Sequence, residues 1–500
     1  MKSEIKIKAD YNKERGSLNT MFKKCIGAGR ANEGLRADWQ DQLRFVKKEC
    51  GFEYIRMHGL LCDDMGVYRE NNKGESEYNF QYIDVLFDFL LSINIKPFVE
   101  LGFMPSALAS GKETIFWWKG NVTPPKDYDK WQNFIAALVT HFTQRYSETE
   151  VKSWYFEVWN EPNLFGFWAS TQEEYFKLYK YTSSAVKSIC PDYKVGGPAT
   201  AGAAWVPEMI RFCKDNAVPL DFITTHTYGV KEGFLDEFGT AGTVLDPDEL
   251  SVARDIRKSK SEILASSMPH LELHYTEWSS SYTPCDPVHD SYVEAPFILE
   301  KIKQSEDYAD SMSYWVFTDI FEESGPRFTP FHGGFGLVNY QGVKKAAYHA
   351  YEYLHALGPV ELETDNNSCW ICRNNSGGVQ ILCWNYTNIH PGREINNQDF
   401  FNKEIPPHKK IQMQVDISSI PNGNYKMLRY KTGYAYNDPY TFYLKDGSSS
   451  QLTREQVLIL KEKSALPPIE SCICVTEEKC TISQILREND VILITLELVH

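Results

Sequence analysis

The chain has 500 residues, a formal charge of −15 and 14% aromatic residues. That length calls for one large domain plus at least one smaller one, and 42% hydrophobic with 24% charged residues is a globular rather than a disordered composition. The acidic balance, with no long Lys/Arg run to offset it, excludes nucleic acid and anionic membranes as natural partners.

The N-terminal stretch Met1-Lys2-Ser3-Glu4-Ile5-Lys6-Ile7-Lys8 alternates, and does not place an apolar core behind a basic tip as a signal peptide does. No apolar run is long enough to span a bilayer. These features point to a soluble, cytoplasmic protein. The alternation reads as a strand over residues 1–21 that joins a later β-module.

From residue 22 to 358 short apolar runs alternate with longer amphipathic ones. The runs at 23–28, 54–59, 95–101, 154–160, 194–198, 222–228, 271–278 and 313–318 are rich in Val, Ile, Phe, Tyr and Trp, and each is followed by a loop. Buried parallel strands read this way. Helical periodicity predicts helices at 37–49, 80–92, 128–146, 172–189, 205–216, 248–264, 292–308 and 343–355, with Asp127 and Thr171 as N-caps. Eight strands, each followed by a helix, is the count of a (β/α)8 TIM barrel. An open doubly wound sheet also alternates, but the loop Gly29-Arg30-Ala31-Asn32-Glu33-Gly34 lacks the G-x-G-x-x-G of that class.

After Gly358-Pro359 the texture changes to two-residue alternation with turn signals. Residues 359–500 read as an all-β, sandwich-like accessory domain, with one short helical stretch at 454–460. Cys369-Trp370-Ile371-Cys372 has zinc-knuckle spacing, but no second Cys-x-x-Cys exists to close a tetrahedral site. The twelve cysteines are scattered and suit a reduced compartment. His270-Leu271-Glu272-Leu273-His274 is not H-E-x-x-H and leads into a strand. No metal or cofactor is called for.

Catalytic groups of such barrels sit at the C-terminal ends of strands. Here the second strand ends in His58, the fourth in Trp159-Asn160-Glu161-Pro162-Asn163, the sixth in His226-Thr227-Tyr228 and the seventh in Thr276-Glu277-Trp278. Asp319, Glu322 and Glu323 follow the eighth. Two carboxylates facing across a pocket are what glycosidic cleavage needs, one as acid and the other as nucleophile or base. Taken singly, Glu161 could cap a helix, Glu277 could sit in a buried ion pair, and the histidines could be satisfied core residues. The loop 107–125, carrying Phe116-Trp117-Trp118, is long enough to be a lid or wall over the catalytic face, or an aromatic patch packed on the barrel or a neighbouring subunit.

Trp159-Asn160-Glu161-Pro162 resembles the acid/base motif of a clan of retaining glycosidases on (β/α)8 barrels. With His274-Tyr275-Thr276-Glu277-Trp278, Ser281-Tyr282, His226-Thr227-Tyr228, and Phe321-Glu322-Glu323 before Gly333-Gly334-Phe335-Gly336-Leu337, the chain resembles glycoside hydrolase family 39 over nearly its whole length. Within the family it resembles the bacterial β-xylosidases more than the α-L-iduronidases. The resemblance implies that Glu161 is the general acid and then base, and Glu277 the nucleophile. It implies that Asn160, His58, His226, Tyr228, Tyr282 and Glu323 hold the sugar, with Glu322 a weaker candidate, and that Trp315 and Phe116 form apolar walls. The implied activity is a retaining exo-β-1,4-xylosidase acting on xylo-oligosaccharides, without cofactor and assembled as a homotetramer. Rival readings are another exo-glycosidase on this scaffold (α-L-arabinosidase, β-glucosidase, β-galactosidase or iduronidase-like) and a non-catalytic carbohydrate-binding protein.

Overall fold

The structure is a computed structural model and describes residues 4–235, 241–391 and 397–499. Eight parallel strands close into a barrel: Cys25–Arg30, Tyr54–His58, Lys96–Leu101, Tyr155–Val158, Lys194–Thr200, Phe222–Tyr228, Glu272–Ser279 and Ser311–Tyr314. Each pairs with its neighbour in chain order, and the eighth closes on the first through Tyr314 and Ile26. The (β/α)8 expectation holds, and the predicted helices appear between the strands.

Helix starts follow local chemistry. Asp127 accepts from the Asp129 and Lys130 amides, and Thr171 from the Glu174 amide, so both predicted caps form. The helix predicted from 248 begins instead at Ala253. Asp246 and Asp248 bond the amides two residues on, which holds the intervening chain in turns. The eighth strand is short and lies two residues earlier than its apolar pattern suggests.

The barrel interior is layered. Cys25, Phe98, Tyr155 and Phe222 form an apolar plug, with the Phe98 and Tyr155 rings stacked at 4.9 Å. Side chains two residues further along the same strands also point inward. Beyond Phe98 and Tyr155 those positions are Glu100 and Glu157, and on the second strand Arg56 follows Tyr54, which packs on the plug; all three are buried. The apolar plug thus supports a charged layer directly below the catalytic mouth.

The N-terminal strand Glu4–Ser17 runs antiparallel to Val360–Thr364 and parallel to Lys410–Ser418. It is the seventh strand of a nine-stranded sheet built otherwise from the C-terminal part of the chain. The sandwich-like module is one hydrogen-bonded sheet rather than two. Ile7, Val415 and Ile482 from one end share a core with Ile371, Ile381 and Ile494 from the other. Trp370 and Trp384 anchor it to the barrel, donating from Nε1 to Glu306 (3.1 Å) and Glu300 (2.6 Å). Cys369 and Cys372 fall on opposite faces of one strand, one in the module core and the other in the barrel core. That is incompatible with a shared metal.

Three features were not legible in the periodicity. A hairpin, Val230–Leu235 with Ala241–Leu245, follows the sixth barrel strand. A helix Pro439–Lys445 interrupts the β-module, capped by Asp438. The 107–125 loop contains a two-residue ladder, Thr114–Ile115 against Gly120–Asn121. Among the described residues no helix is long and apolar enough to cross a membrane.

Candidate active site

Arg56 organises the mouth. Its guanidinium is fully buried and donates from Nε to Glu157 Oε2 (2.7 Å), from Nη1 to Glu277 Oε1 (2.5 Å) and from Nη2 to Asn160 Oδ1 (2.8 Å). Glu100 Oε2 lies 3.0 Å from Nη2. One buried cation thereby fixes groups from the second, third, fourth and seventh strands. Sequence reasoning missed Arg56, Glu100 and Glu157. Their signal was present all the same, because a charged residue inside an otherwise apolar buried strand needs a partner.

Glu277 reaches this centre by a local irregularity. The register between the sixth and seventh strands shifts between Thr225 and His226, so Thr225 faces Tyr275 but His226 faces Glu277. A bulge re-aims side chains. Here the consecutive residues Thr276 and Glu277 both make contacts inside the barrel. Tyr228 donates to the second oxygen of Glu277 at 2.8 Å. With Arg56 on the first oxygen, Glu277 accepts on both, as a carboxylate does.

Glu161 lies on the strand-four turn with φ 46°, and its amide donates to Ala199 O (2.8 Å). The residue is 8% exposed. Burial pushes its pKa up to about 7 against the opposing pull of Arg56. The acid form therefore persists to near-neutral pH. Oxygens of Glu161 and Glu277 approach within 4.8 Å, with the ring of His226 between them.

Hydrogen bonds around His226 assign its protons. Thr276 Oγ1–H donates to Glu157 Oε1 (2.7 Å), so the same oxygen must accept from His226 Nε2 (3.2 Å). Burial lowers the His226 pKa to about 4, so the ring is neutral and Nδ1 carries the lone pair. Glu161 Oε1 is 3.0 Å from Nδ1 and donates its proton there. His58 is likewise neutral, its pKa lowered to about 3 by burial and Arg56. Its Nδ1 is 2.7 Å from Glu100, whose carboxyl burial pushes up to about 8. Protonated Glu100 donates to Nδ1. His58 Nε2–H then points toward Glu277 (3.6 Å) and Glu323 (3.8 Å).

Above these groups is a cavity of about 550 Å³ lined by His58, Asn160, Glu161, Tyr228, Glu277, Tyr282, Trp315 and Glu323, among others. Eight of the predicted residues are thus brought to one space. His226 stands behind it, fully buried against Glu161. Asn160 Nδ2 is a buried donor with no partner among the described residues, and it lines the cavity. Burial and the neighbouring Glu277 push the Glu323 pKa well above the ordinary carboxylate range, leaving it able to donate.

Two predicted residues lie elsewhere. Glu322 turns away from the cavity into ion pairs with Arg30 and Arg36, each at 3.0 Å. The two arginine ion pairs hold this carboxylate outside the cavity, while Glu323 lines it. Phe116 packs behind the wall, 5.9 Å from His58 and 5.5 Å from Phe167. The 107–125 loop is held down where Trp117 N–H donates to Glu323 O (2.7 Å). Phe335 supplies a wall not predicted. Asp290 accepts from the Gly333 amide (2.6 Å), Asp319 from the Gly336 amide (2.7 Å), and Lys345 donates to Gly334 O (2.8 Å). Asp319, expected at the rim, belongs to this buried support.

Glu161, His226 and Glu277 present ligand atoms close enough for a metal ion. The Arg56 guanidinium already supplies the positive charge at Glu277, and the His226 lone pair already has the Glu161 proton. The arrangement sets a carboxyl held protonated by burial across the pocket from one that accepts hydrogen bonds on both oxygens.

Comparison with known proteins gives a consistent picture. The family model for glycosyl hydrolases family 39 matches residues 5–476. A β-xylosidase from Caldicellulosiruptor saccharolyticus is 40% identical over 470 residues, 92% of each chain. A β-xylosidase from Geobacillus stearothermophilus is 44% identical over 379 residues, 74% of this chain and 75% of that one. The crystal structure of a monomeric β-xylosidase from Caulobacter crescentus CB15 matches with a TM-score of 0.95 at 41% identity, covering 99% of this chain and 100% of that chain.

Proposed function

The chain belongs to glycosyl hydrolases family 39, and from that membership and the site geometry we propose that it is a retaining exo-β-1,4-xylosidase that releases xylose from xylo-oligosaccharides. The observation that carries the reading is the approach of Glu161 and Glu277 within 4.8 Å. Retention needs carboxyls roughly 5–5.5 Å apart, whereas inversion leaves room for a water at roughly 6.5–9.5 Å.

In the first half-reaction Glu277 attacks the anomeric carbon and the glycosidic bond breaks. Glu161 passes its proton to the departing oxygen. Forming the glycosyl ester removes the charge of Glu277, and Glu161, now ionised, takes a proton from the water that cleaves the ester. His58, Asn160, Tyr228, Tyr282 and Glu323 hold the sugar hydroxyls. Trp315 and Phe335 enclose the ring.

An exo mode is implied by the family, and the Glu323 side of the cavity is flanked by anchored loops. There the 107–125 loop is bonded to Glu323, and the Phe335 loop is fixed by Lys345, Asp290 and Asp319. The xylose assignment is supported by the named activity of the relatives.

Hydrolysis of aryl β-xyloside, α-L-arabinoside, β-glucoside, β-galactoside and α-L-iduronide tests both parts. Preferred β-xyloside cleavage, abolished in Glu277→Ala, is the expected outcome. Glu161→Ala should keep more activity on good leaving groups and gain a β-xylosyl azide product when azide is added. A different preferred glycoside would retain the mechanism and overturn the xylose assignment. The tetramer implied by the resemblance is tested by sedimentation.

A further inference from the structure

The turn Gly333-Gly334-Phe335-Gly336 carries one side chain, and its glycines have steric reasons. A Cβ on Gly333, at φ 77°, would meet the Asp286 backbone at 2.3 Å, and one on Gly336 the Asp319 amide nitrogen at 2.4 Å. On Gly334 it would meet Asp319 Oδ1 at 2.4 Å. The backbone thus lies directly on the loops that follow the seventh and eighth strands, and only Phe335 projects from it into the cavity lining.

A buried ion triad holds this turn. The Lys345 ammonium lies 2.6 Å from Asp290 Oδ1 and 2.6 Å from Asp319 Oδ2, and all three side chains are fully buried. The other oxygen of each carboxylate accepts from a glycine amide, Gly333 for Asp290 and Gly336 for Asp319. Each acid therefore ties the ammonium to the turn backbone. Three charges taken out of water are costly, and none of them lines the cavity. The ring they support is 2% exposed, edge-on to Phe321 at 5.4 Å and tilted against His289 at 4.8 Å, so it has no room to swing aside.

We infer that Phe335 is the specificity-determining wall of the site, standing at C5 of the bound sugar so that a pentose fits and a hexose does not, and that Lys345 is the positioning residue that holds it there through Asp290 and Asp319. The inference rests on the glycosidase reading above and names what selects the sugar.

The circular order of the strands places the wall. Asn160 follows the fourth strand, His58 ends the second and Glu323 follows the eighth. Phe335 comes next, its turn packed on the seventh-strand loop at Asp286. Tyr228, which donates to Glu277, and Tyr282 close the circuit on the sixth and seventh strands. A pyranose with C1 at Glu277 and its 2-hydroxyl at Asn160 then sets C3 toward His58, C4 toward Glu323 and C5 toward Phe335. In xylose that carbon is a methylene, which an apolar ring covers well. In a hexose it bears a hydroxymethyl group, which meets a rigid ring and loses its hydrogen bonds to water.

The test compares aryl β-xyloside with aryl β-glucoside, which differ only in the C5 substituent. Phe335→Ala should lower the xyloside-to-glucoside ratio of kcat/KM about ten- to a hundredfold, by losing contact with one sugar and admitting the other. Lys345→Met should lower that ratio about tenfold and raise KM for the xyloside more than it lowers kcat. Asp319→Asn keeps an acceptor for Gly336 and leaves Lys345 paired with Asp290; it should lower the ratio about threefold, and it decides the positioning role if Lys345→Met does not fold. A merely structural role would reduce the active fraction, lowering kcat on both glycosides and leaving KM and the ratio unchanged. That result overturns the positioning role. An unchanged ratio in Phe335→Ala, or a wild type that cleaves both glycosides equally, overturns the wall while the glycosidase reading stands. A wild type that cleaves neither overturns the glycosidase reading and the wall with it.

Discussion

Replacing Glu161 by Gln separates catalysis from stability in a way the geometry makes calculable. The Gln amide can donate to His226 Nδ1 as the protonated carboxyl does, so the hydrogen bond at 3.0 Å has a substitute while the ionisation is removed. In the folded protein the Glu161 pKa is raised from 4.5 to about 7, chiefly by burial. A raised carboxyl pKa contributes stability that is complete below the unfolded value and lost as pH rises through the folded one. The loss accrues between about pH 4.5 and 7, and at about 1.4 kcal/mol per pH unit it totals about 3 kcal/mol. Glu161→Gln should match wild type near pH 4.5 and exceed it by about 3 kcal/mol near pH 8. Urea unfolding at the two pH values measures the difference. Wild-type kcat/KM should fall on the alkaline side as the proton leaves near pH 7, and the variant should lose about a hundredfold or more on xylobiose. A stability difference that stays flat between the two pH values would refute the assignment of Glu161 as a carboxyl held protonated by burial.

Three further outcomes follow from the same contacts. Thr276→Val removes the acceptor for His226 Nε2–H, so the ring should shift its proton to Nδ1 and favour ionised Glu161; the alkaline limb of the pH–rate profile should move down by about one unit, with Thr276→Ser restoring it. Arg56→Met strands the buried carboxyls of Glu157 and Glu277, and should cost about 3–5 kcal/mol by denaturant titration together with nearly all activity. Glu323→Gln should raise KM for xylobiose about tenfold or more, whereas Glu322→Gln, outside the cavity, should leave KM within about twofold; the reverse pattern would show that the loop has been read the wrong way round.

The alternation of short apolar runs and amphipathic stretches was enough to place eight strands and eight helices, because each pattern depends only on spacing along the chain. Strand-end polar groups could be read for the same reason. Asn160, Glu161 and Glu277 stand where the apolar pattern stops, and barrel geometry sends such positions to one face.

Other features depend on neighbours far away in sequence. No local pattern shows that Arg56 meets Glu157 and Glu277, which are 101 and 221 residues distant. The choice between Glu322 and Glu323 is made by Arg30 and Arg36, which end and follow the first strand nearly three hundred residues earlier and close on the loop after the eighth. The one-residue register shift that turns both Thr276 and Glu277 inward exists only between paired strands. By itself the sequence determined the barrel, its polar rim and the two carboxyls. Closure of the sheet decided which buried charges neutralise each other, where each proton rests and which of two adjacent acids faces the cavity, because those are energies of contact across the barrel.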